Sequence, residues 1–209
     1  MDDYYNTVYK EACDEFVEKR SRFIGYCKPV TDEKQAVDFI NEKRSVHWDA
    51  THNVYAYVLR NGNIQRYSDD SEPQGTAGVP TLDVILKNNV VDCAVVVTRY
   101  FGGILLGGGG LVRAYSHGAK IALEAAQIVR MEKCLCCWIR IPYNHYGKVN
   151  TLIVQNGGVI DDSQFIDDVK IMFHIPKGML DSLQKQLNDA TSSQVGIGVT
   201  DEKYYASRQ

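Results

Sequence analysis

The sequence contains no long hydrophobic run, and neither sign of charge dominates it. No segment approaches the roughly 20 consecutive apolar residues that a membrane-spanning helix needs. The 209 residues carry 23 basic and 26 acidic side chains, for a net charge of −3. Proteins that coat nucleic acid nonspecifically are usually basic. The composition therefore argues against a membrane helix and against general nucleic-acid coating, and it leaves room for a local basic patch at most.

The cysteine pattern argues against a zinc site. Cys134, Cys136 and Cys137 form C-x-C-C without the second pair that a zinc site requires. The other three cysteines lie in predicted strands, where a free cysteine packs as a small hydrophobic residue. The first ten residues, MDDYYNTVYK, are acidic and polar, unlike a secretory signal. We therefore expect a cytoplasmic protein with reduced thiols, no cofactor and no membrane association.

The most informative stretch runs from Val91 to Val129. Val91–Thr98 is a nearly continuous apolar run, which is typical of a strand buried on both faces. A helix follows, with one apolar face and one polar face. The apolar face is predicted to comprise Leu111, Ala114, Tyr115, Gly118, Ala122, Ala125 and Val129.

Six glycines lie between this strand and this helix: Gly102, Gly103 and Gly107 to Gly110. The loop is neither a P-loop nor a G-x-G-x-x-G motif. Two interpretations remain open. The glycines can permit close packing or positive φ angles, or they can present free amides at a helix N-terminus to an anion. Arg99 and Arg113 lie at either end of the loop.

The first half of the chain reads as alternating strands and helices. Helix periodicity and a capping pair, Asp32 with Gln35, predict a helix to about Arg44. Asn61-Gly62 predicts a hairpin turn. The predicted elements are strands Tyr9–Glu18 and Arg22–Val30, the helix burying Ala36, Val37 and Ile40, a hairpin from Val54 to Tyr67, and a short helix from Pro80 burying Leu82, Ile85 and Leu86.

The last 70 or so residues read as β-α-β-β-α-β, which is the ferredoxin-like plan. The predicted elements are Cys137–Pro142, Asn144–Asn156, Val159–Gln164, Val169–Ile175, Pro176–Ala190 and Val195–Thr200. We therefore predict an α+β protein of two domains, residues 1–133 and 134–209.

Three polar features could carry chemistry. Asp69, Asp70 and Glu72 could bind Mg²⁺ or act as acid and base, or they could cap turns and face solvent. His52 could be a base or a satisfied histidine at a strand end. Arg99 follows a buried strand, where α/β sheets place ligands, or it could pair with the acidic loop. No serine or cysteine has an obvious base beside it.

Three segments resemble the YigZ/Impact family: ATHNVYAY (residues 50–57), SDDSEPQGTAGVP (68–80) and VVVTRYFGGILLGGGGLVRAYS (95–116). The resemblance implies an N-terminal domain with the left-handed βαβ fold of the second domain of a small-subunit ribosomal protein. It also implies a C-terminal domain similar to that of elongation factor G.

The resemblance further implies a link to translation, because eukaryotic Impact members regulate initiation by engaging a ribosome-associated activator of an initiation-factor kinase. Val54 stands where many members have cysteine, and Gly108 and Gly110 extend the glycine loop. The motif positions are His52, Asp69, Asp70, Glu72, Gly75, Thr76, Gly78, Arg99, Tyr100, Gly102, Gly103, Gly107, Gly109, Leu111, Arg113 and Tyr115.

Our leading hypothesis is a non-enzymatic, monomeric protein that binds RNA or the ribosome and regulates translation. The candidate anion- or nucleic-acid-binding residues are Thr76, Arg99, Tyr100, Gly102, Gly103, Gly107, Gly108, Gly109, Gly110 and Arg113. The alternative is a small enzyme acting on a phosphorylated substrate, with His52, Asp69, Asp70 and Glu72 as acid, base or Mg²⁺ ligands. A third interpretation is a protein-interaction module with an apolar patch.

Overall fold

The computed structural model describes residues 3–192 and 195–207 and divides into two compact units. The first unit is Tyr5–Arg130. The second contains the chain from Met131 onward together with the N-terminal residues up to Tyr4. Each unit has its own hydrophobic core, so the two-domain α+β architecture predicted from the sequence is confirmed.

The first unit is built on a five-stranded sheet in the order β2-β3-β6-β4-β5, with every neighbouring pair antiparallel. Its central strand is β6, which is buried along nearly its whole length, as the apolar run predicts. Its five strands are β2 (Ala12–Glu18), β3 (Ser21–Pro29), β4 (His52–Leu59), β5 (Ile64–Ser68) and β6 (Cys93–Tyr100). A further strand, β1 (Tyr4–Val8), precedes them in the chain and is not part of this sheet. β1 was not predicted, and β2 begins at Ala12 rather than Tyr9.

Helices cover both faces of this sheet. The first helix, α1 (Glu33–Val46), packs against one face, and α2 (Gly78–Lys87) and α3 (Gly108–Ala126) pack against the other. Since β3 and β4 both run antiparallel to β6, they are parallel to each other, and α1 connects them. This is the crossover of the predicted βαβ unit, whose left-handedness stays a prediction.

The cap of α1 is confirmed, because the Asp32 side chain accepts a hydrogen bond of 2.8 Å from the Gln35 amide. The prediction that Val37 and Leu86 are buried is wrong. Val37 is 44% exposed and Leu86 is 36% exposed. The buried face of α1 instead includes Phe39, which is 2% exposed and whose aromatic ring fills the space between the helix and the sheet.

The end of α3 also differs from the prediction. The helix stops at Ala126, and Val129 belongs to the following strand. The reason is local: Gln127 has φ of 62°, which ends the helix, and the Tyr9 amide donates to the carbonyls of Ala126 and Gln127. Ala125 is only partly buried, while Ala119 and Leu123 complete the buried face.

In the second sheet β7 pairs with β10 and with β9, and β9 pairs with β8, all antiparallel, while β1 is the fifth strand, beside β7. Helix α4 follows β7 and α5 follows β9. This confirms the predicted β-α-β-β-α-β plan. The elements are β7 (Ile128–Ile141), α4 (Tyr146–Gln155), β8 (Val159–Phe165), β9 (Val169–Pro176), α5 (Leu180–Thr191) and β10 (Gly198–Ala206).

Two strands of the second unit were placed incorrectly. β7 begins at Ile128 instead of Cys137, and the last strand begins at Gly198 instead of Val195. The missed parts pair with each other, since Ala206 lies opposite Met131 and Lys203 opposite Cys134. Their mixed polar and apolar sequence hides the alternation that would mark a strand. Within the described residues, none of the helices combines the length and the apolar character required to cross a bilayer.

Candidate functional site

A cleft of about 410 Å³ lies in the first unit, between the C-terminal end of β6 and the N-terminus of α3. It combines one polar wall with one apolar wall. The polar wall contains His52, Glu72, Arg99 and the backbone of Gly107 and Gly108. The apolar wall contains Phe101, Leu105, Leu106 and Leu111.

Glu72 lies at the centre of the polar wall and is only 7% exposed. Its Oε1 accepts hydrogen bonds from Arg99 Nη1 at 2.6 Å and from the Tyr115 hydroxyl at 2.7 Å. A buried carboxylate needs such donors because an unpaired charge is costly to bury. Burial, followed by the negative charge of Glu72, raises the pKa of Tyr115 well above its usual range, so the hydroxyl stays a donor.

Arg99 is 5% exposed and is not fully satisfied. Its Nη2 donates a long hydrogen bond of 3.4 Å to Ser21 Oγ, while its buried Nε has no hydrogen-bond partner among the described residues. The guanidinium also lies 5.3 Å from the ring centroid of Phe101. Of the two interpretations of Arg99, the structure therefore shows the pairing with the acidic loop and leaves one donor unused.

His52 completes the cluster. It pairs in register with Arg99 across β4 and β6. Its Nδ1 lies 2.8 Å from the carbonyl oxygen of Asp70, which assigns the proton to Nδ1 because a carbonyl can only accept. Its Nε2 lies 3.6 Å from Glu72 Oε1. The histidine is thus held in one orientation with Nε2 toward the carboxylate.

The three acidic residues of the loop have different partners. Asp69 accepts hydrogen bonds from the amides of Gly75, Ala77 and Gly78 at 2.8 to 3.0 Å, so it organises the start of α2. Burial alone would raise the pKa of Asp69, but these three amide bonds lower it.

Asp70 also has a structural contact on each side. It accepts from the Asn53 amide at 2.6 Å and from Arg44 Nη2 at 3.0 Å. Only Glu72 of the three carboxylates lines the cleft. Within residues 3–192 and 195–207 no cluster of three or more His, Cys, Asp or Glu side chains is arranged to hold a metal ion.

The glycines of the loop fall into three groups. A Cβ on Gly102 would overlap the Arg20 backbone, and one on Gly110 would lie 2.9 Å from Leu106 Cβ, so packing requires both glycines. Gly103 and Gly107 have positive φ angles of 82° and 73°. Gly108 and Gly109 have neither constraint, and their Cβ atoms would meet nothing closer than 3.7 Å.

Of the ten residues predicted to bind an anion or nucleic acid, only Arg99, Gly107 and Gly108 line the cleft; Gly102, Gly103, Gly109, Gly110, Thr76, Tyr100 and Arg113 do not. The Tyr100 hydroxyl contacts His47 Nδ1 at 2.8 Å and donates to Asp49 at 3.2 Å. Thr76 donates to the Pro73 carbonyl at 2.6 Å. Arg113 is exposed and lines a neighbouring groove, which is separate from the cleft but shares Leu106 with it.

The Tyr115 hydroxyl and Ser21 both complete the cluster, although neither was predicted to take part in it. For Tyr115 a signal was present. A tyrosine on the apolar face of a helix carries a hydroxyl that must find a partner once it is buried. For Ser21 the sequence contains no comparable signal, because its contact with Arg99 depends on the register of β3 beside β6.

Comparison with known proteins gives two family matches. The Impact N-terminal domain matches residues 19–123, and a domain of unknown function (DUF1949) matches residues 139–194. The chain is 34% identical to the IMPACT family member YvyE of Bacillus subtilis (strain 168), covering 92% of this chain and 89% of the relative. This chain belongs to the IMPACT family.

Two further comparisons agree with this assignment to the IMPACT family. The IMPACT family member YigZ of Escherichia coli (strain K12) is 32% identical, with 82% of this chain and 85% of the relative covered. A crystal structure described as that of an hypothetical protein is 28% identical and matches with a TM-score of 0.61 over 97% of this chain and 100% of that chain. The whole cleft lies inside the Impact N-terminal domain.

Proposed function

We propose that this IMPACT family member is a translation-associated protein that binds RNA, with the ribosome as the RNA-bearing partner that the resemblance implies. The proposal rests mainly on one observation. The N-terminus of α3 opens into a cleft beside an aromatic side chain, Phe101, which is 45% exposed. Helix N-termini bind phosphate, and exposed aromatic side chains stack on unpaired bases.

The neighbouring groove extends this surface. It contains Lys19, Arg113 and His117, and it meets the cleft at Leu106. Lys19 and Arg113 are exposed, so they can attract a nucleic-acid backbone that runs from the cleft into the groove. Because the chain as a whole carries a net charge of −3, we expect binding to be local and selective rather than a general coating.

The roles of the two arginines therefore differ in this proposal. Arg113 would neutralise phosphate charge at the surface. Arg99 forms a buried ion pair with Glu72, in which Nη1 and Oε1 are 2.6 Å apart, so its charge is largely neutralised. Removing Arg99 would leave a buried carboxylate uncompensated, which typically costs about 3–5 kcal/mol. Arg99→Ala is accordingly a poor test of binding, because it would also unfold the site.

The experiment is co-sedimentation with ribosomes, and binding of short single-stranded RNA, across a salt series. A Lys19→Ala/Arg113→Ala variant is compared with a Lys185→Ala/Arg140→Ala control, which removes the same charges from exposed positions of the second unit. We expect wild-type binding to weaken as salt rises. The test variant should bind about tenfold more weakly, and the slope of its log affinity against log salt concentration should be smaller by about two. No binding at low salt, or equal effects of the two variants, would refute RNA binding by this surface.

A second candidate function is supported by the orientation of His52. With Nδ1 donating to Asp70 and Nε2 3.6 Å from Glu72, the ring could act as a general base on a phosphorylated substrate in the cleft. Mg²⁺ would be needed only in this case. Phosphorylated metabolites would be screened for turnover with and without Mg²⁺. A rate that falls at least 100-fold in His52→Gln would support His52 as the general base, and an unchanged rate would exclude this role for His52. No turnover of any substrate by the wild type would count against the enzyme.

A further inference from the structure

We infer that the cleft binds a terminal phosphate, a phosphomonoester, with its oxygen atoms at the first turn of α3. The phosphate belongs to a nucleotide, which is either free or at the end of an RNA chain. This inference rests on the proposed function and deepens it, because it names the part of an RNA molecule that the cleft takes.

The first observation is the unprotected start of α3. The helix has 19 residues, and within the described residues no side chain caps its N-terminus and no acidic residue lies in its first turn. The first amides of any helix lack partners inside the helix, and they carry the positive end of its dipole. Gly107 and Gly108 place this end in the cleft wall.

The second observation concerns Gly108 and Gly109. Glycine is a poor helix former compared with alanine, so each glycine in this region calls for an explanation. Positive φ angles explain Gly103 and Gly107, and packing explains Gly102 and Gly110. At Gly108 the nearest atom to an added Cβ is Thr76 Cγ2 at 4.0 Å, so the protein itself leaves this space open. A ligand that approaches the backbone closely would account for it.

The third observation is independent of the helix. Arg99 lies in the cleft wall and is only 5% exposed, and its Nε has no hydrogen-bond partner among the described residues. A buried N–H without a hydrogen-bond partner is unfavourable, because it loses its bond to water and gains no other. An acceptor oxygen in the cleft would satisfy it. The only carboxylate of the cleft lining, Glu72, already accepts from Arg99 and Tyr115.

The donor set favours a terminal phosphate over an internal one. Arg99 and the start of α3 line the same cleft, and several donors in one site suit the three oxygens and double charge of a phosphomonoester. A phosphodiester has only two non-bridging oxygens and one charge. The apolar wall of Phe101, Leu105 and Leu106 then faces the sugar and base of the same nucleotide.

The test uses the full-length protein and three variants. Gly108→Asp places a carboxylate in the first helical turn, where it stabilises the helix but repels phosphate. Gly108→Ala fills the space with one methyl group. Gly147→Asp is the matched control, because Gly147 lies in the first turn of α4 and its Cβ would also meet open space. Binding of AMP and adenosine is measured by calorimetry, and stability by urea unfolding.

We expect wild type to bind AMP at least tenfold more tightly than adenosine. Gly108→Asp should abolish this preference while unfolding at the same or a higher urea concentration, and Gly108→Ala should weaken it. Gly147→Asp should bind AMP as wild type does. Equal binding of AMP and adenosine, binding of neither, or an unchanged preference in Gly108→Asp would overturn the inference.

The same RNA oligomer with a 5′-phosphate, a 3′-phosphate or hydroxyl ends separates this inference from the proposed function. If all three oligomers bind equally well, RNA binding stands and the terminal-phosphate site is refuted. If AMP binds in the cleft but no oligomer and no ribosome binds, the phosphate site stands as a site for free nucleotides and the proposed RNA function is refuted.

Discussion

Single residues of the acidic loop show how one short polar segment serves several purposes. Asp69 holds the start of α2, Asp70 holds β4 and α1 through Asn53 and Arg44, and Glu72 enters the cleft. The loop can therefore present Glu72 accurately because the two preceding carboxylates fix its backbone. A carboxylate count in the sequence cannot separate these roles, since all three residues lie within four positions.

Asp69→Asn is expected to destabilise the first unit at pH 7 by about 1–2 kcal/mol, because a neutral amide accepts the three backbone hydrogen bonds less well. The pKa of Asp69 is lowered in the folded state. Its contribution is therefore present above the unfolded pKa of about 3.9 and is lost as pH falls through the folded pKa.

Urea unfolding at pH 7, 5 and 3 measures this effect. The difference in unfolding free energy between wild type and Asp69→Asn should persist at pH 5 and shrink toward pH 3. Asp38→Asn, at an exposed position of α1, serves as the control. A difference that stays constant down to pH 3 would contradict the role given to the charge of Asp69.

At the scale of elements, α3 approaches β3 unusually closely. A Cβ on Gly25 would overlap the Gly118 carbonyl of α3 and lie 3.1 Å from Ala122 Cβ, and a Cβ on Gly118 would lie 2.9 Å from Val97. Because the two glycines face each other, the helix lies directly on the sheet backbone. This contact fixes the helix whose first turn forms one wall of the cleft.

Gly25→Ala is therefore expected to lower the free energy of unfolding by about 1–3 kcal/mol, since α3 must move away from the sheet to admit the methyl group. Thermal and urea unfolding measure the loss. Gly147→Ala adds the same methyl group where nothing lies within 4 Å, and it should not destabilise the protein. If both variants unfold alike, the close helix–sheet contact does not constrain α3 as described.

The elements also show what the sequence could predict. Asp32 and Gln35 carry the cap of α1 in their own side chains, so the start of that helix was found. The start of β7 was missed because its pairing with the polar strand β10 lies about 70 residues away. In the candidate site, the glycine loop correctly indicated where the cleft lies. The sequence could not show that Glu72 pairs with Arg99, or that Arg99 lines the cleft while Arg113 does not. Both facts depend on strand register and on where the helix packs.

At the scale of the whole molecule, the buried clusters of the two units share no residue among those the structure describes. The first unit has a cluster on each face of its sheet, one with Val97 and Tyr115 and one with Phe39, and the second unit has a cluster with Ile153 and Phe173. The two family matches also fall on separate stretches, 19–123 and 139–194. Since every residue of the cleft belongs to the first unit, its ligand binding should not require the core of the second unit to be intact.

Ile153→Ala tests this independence. Ile153 is fully buried in the core of the second unit, and its truncation should destabilise that unit by about 2–5 kcal/mol because it removes apolar contacts and leaves a cavity. Amide hydrogen exchange should accelerate in β8 and β9 and stay unchanged in β6 and α3, while AMP affinity remains that of wild type. Val97→Ala, the corresponding truncation in the first unit, should show the reverse pattern. Equal loss of protection in both units would instead mean that the chain unfolds as one cooperative body.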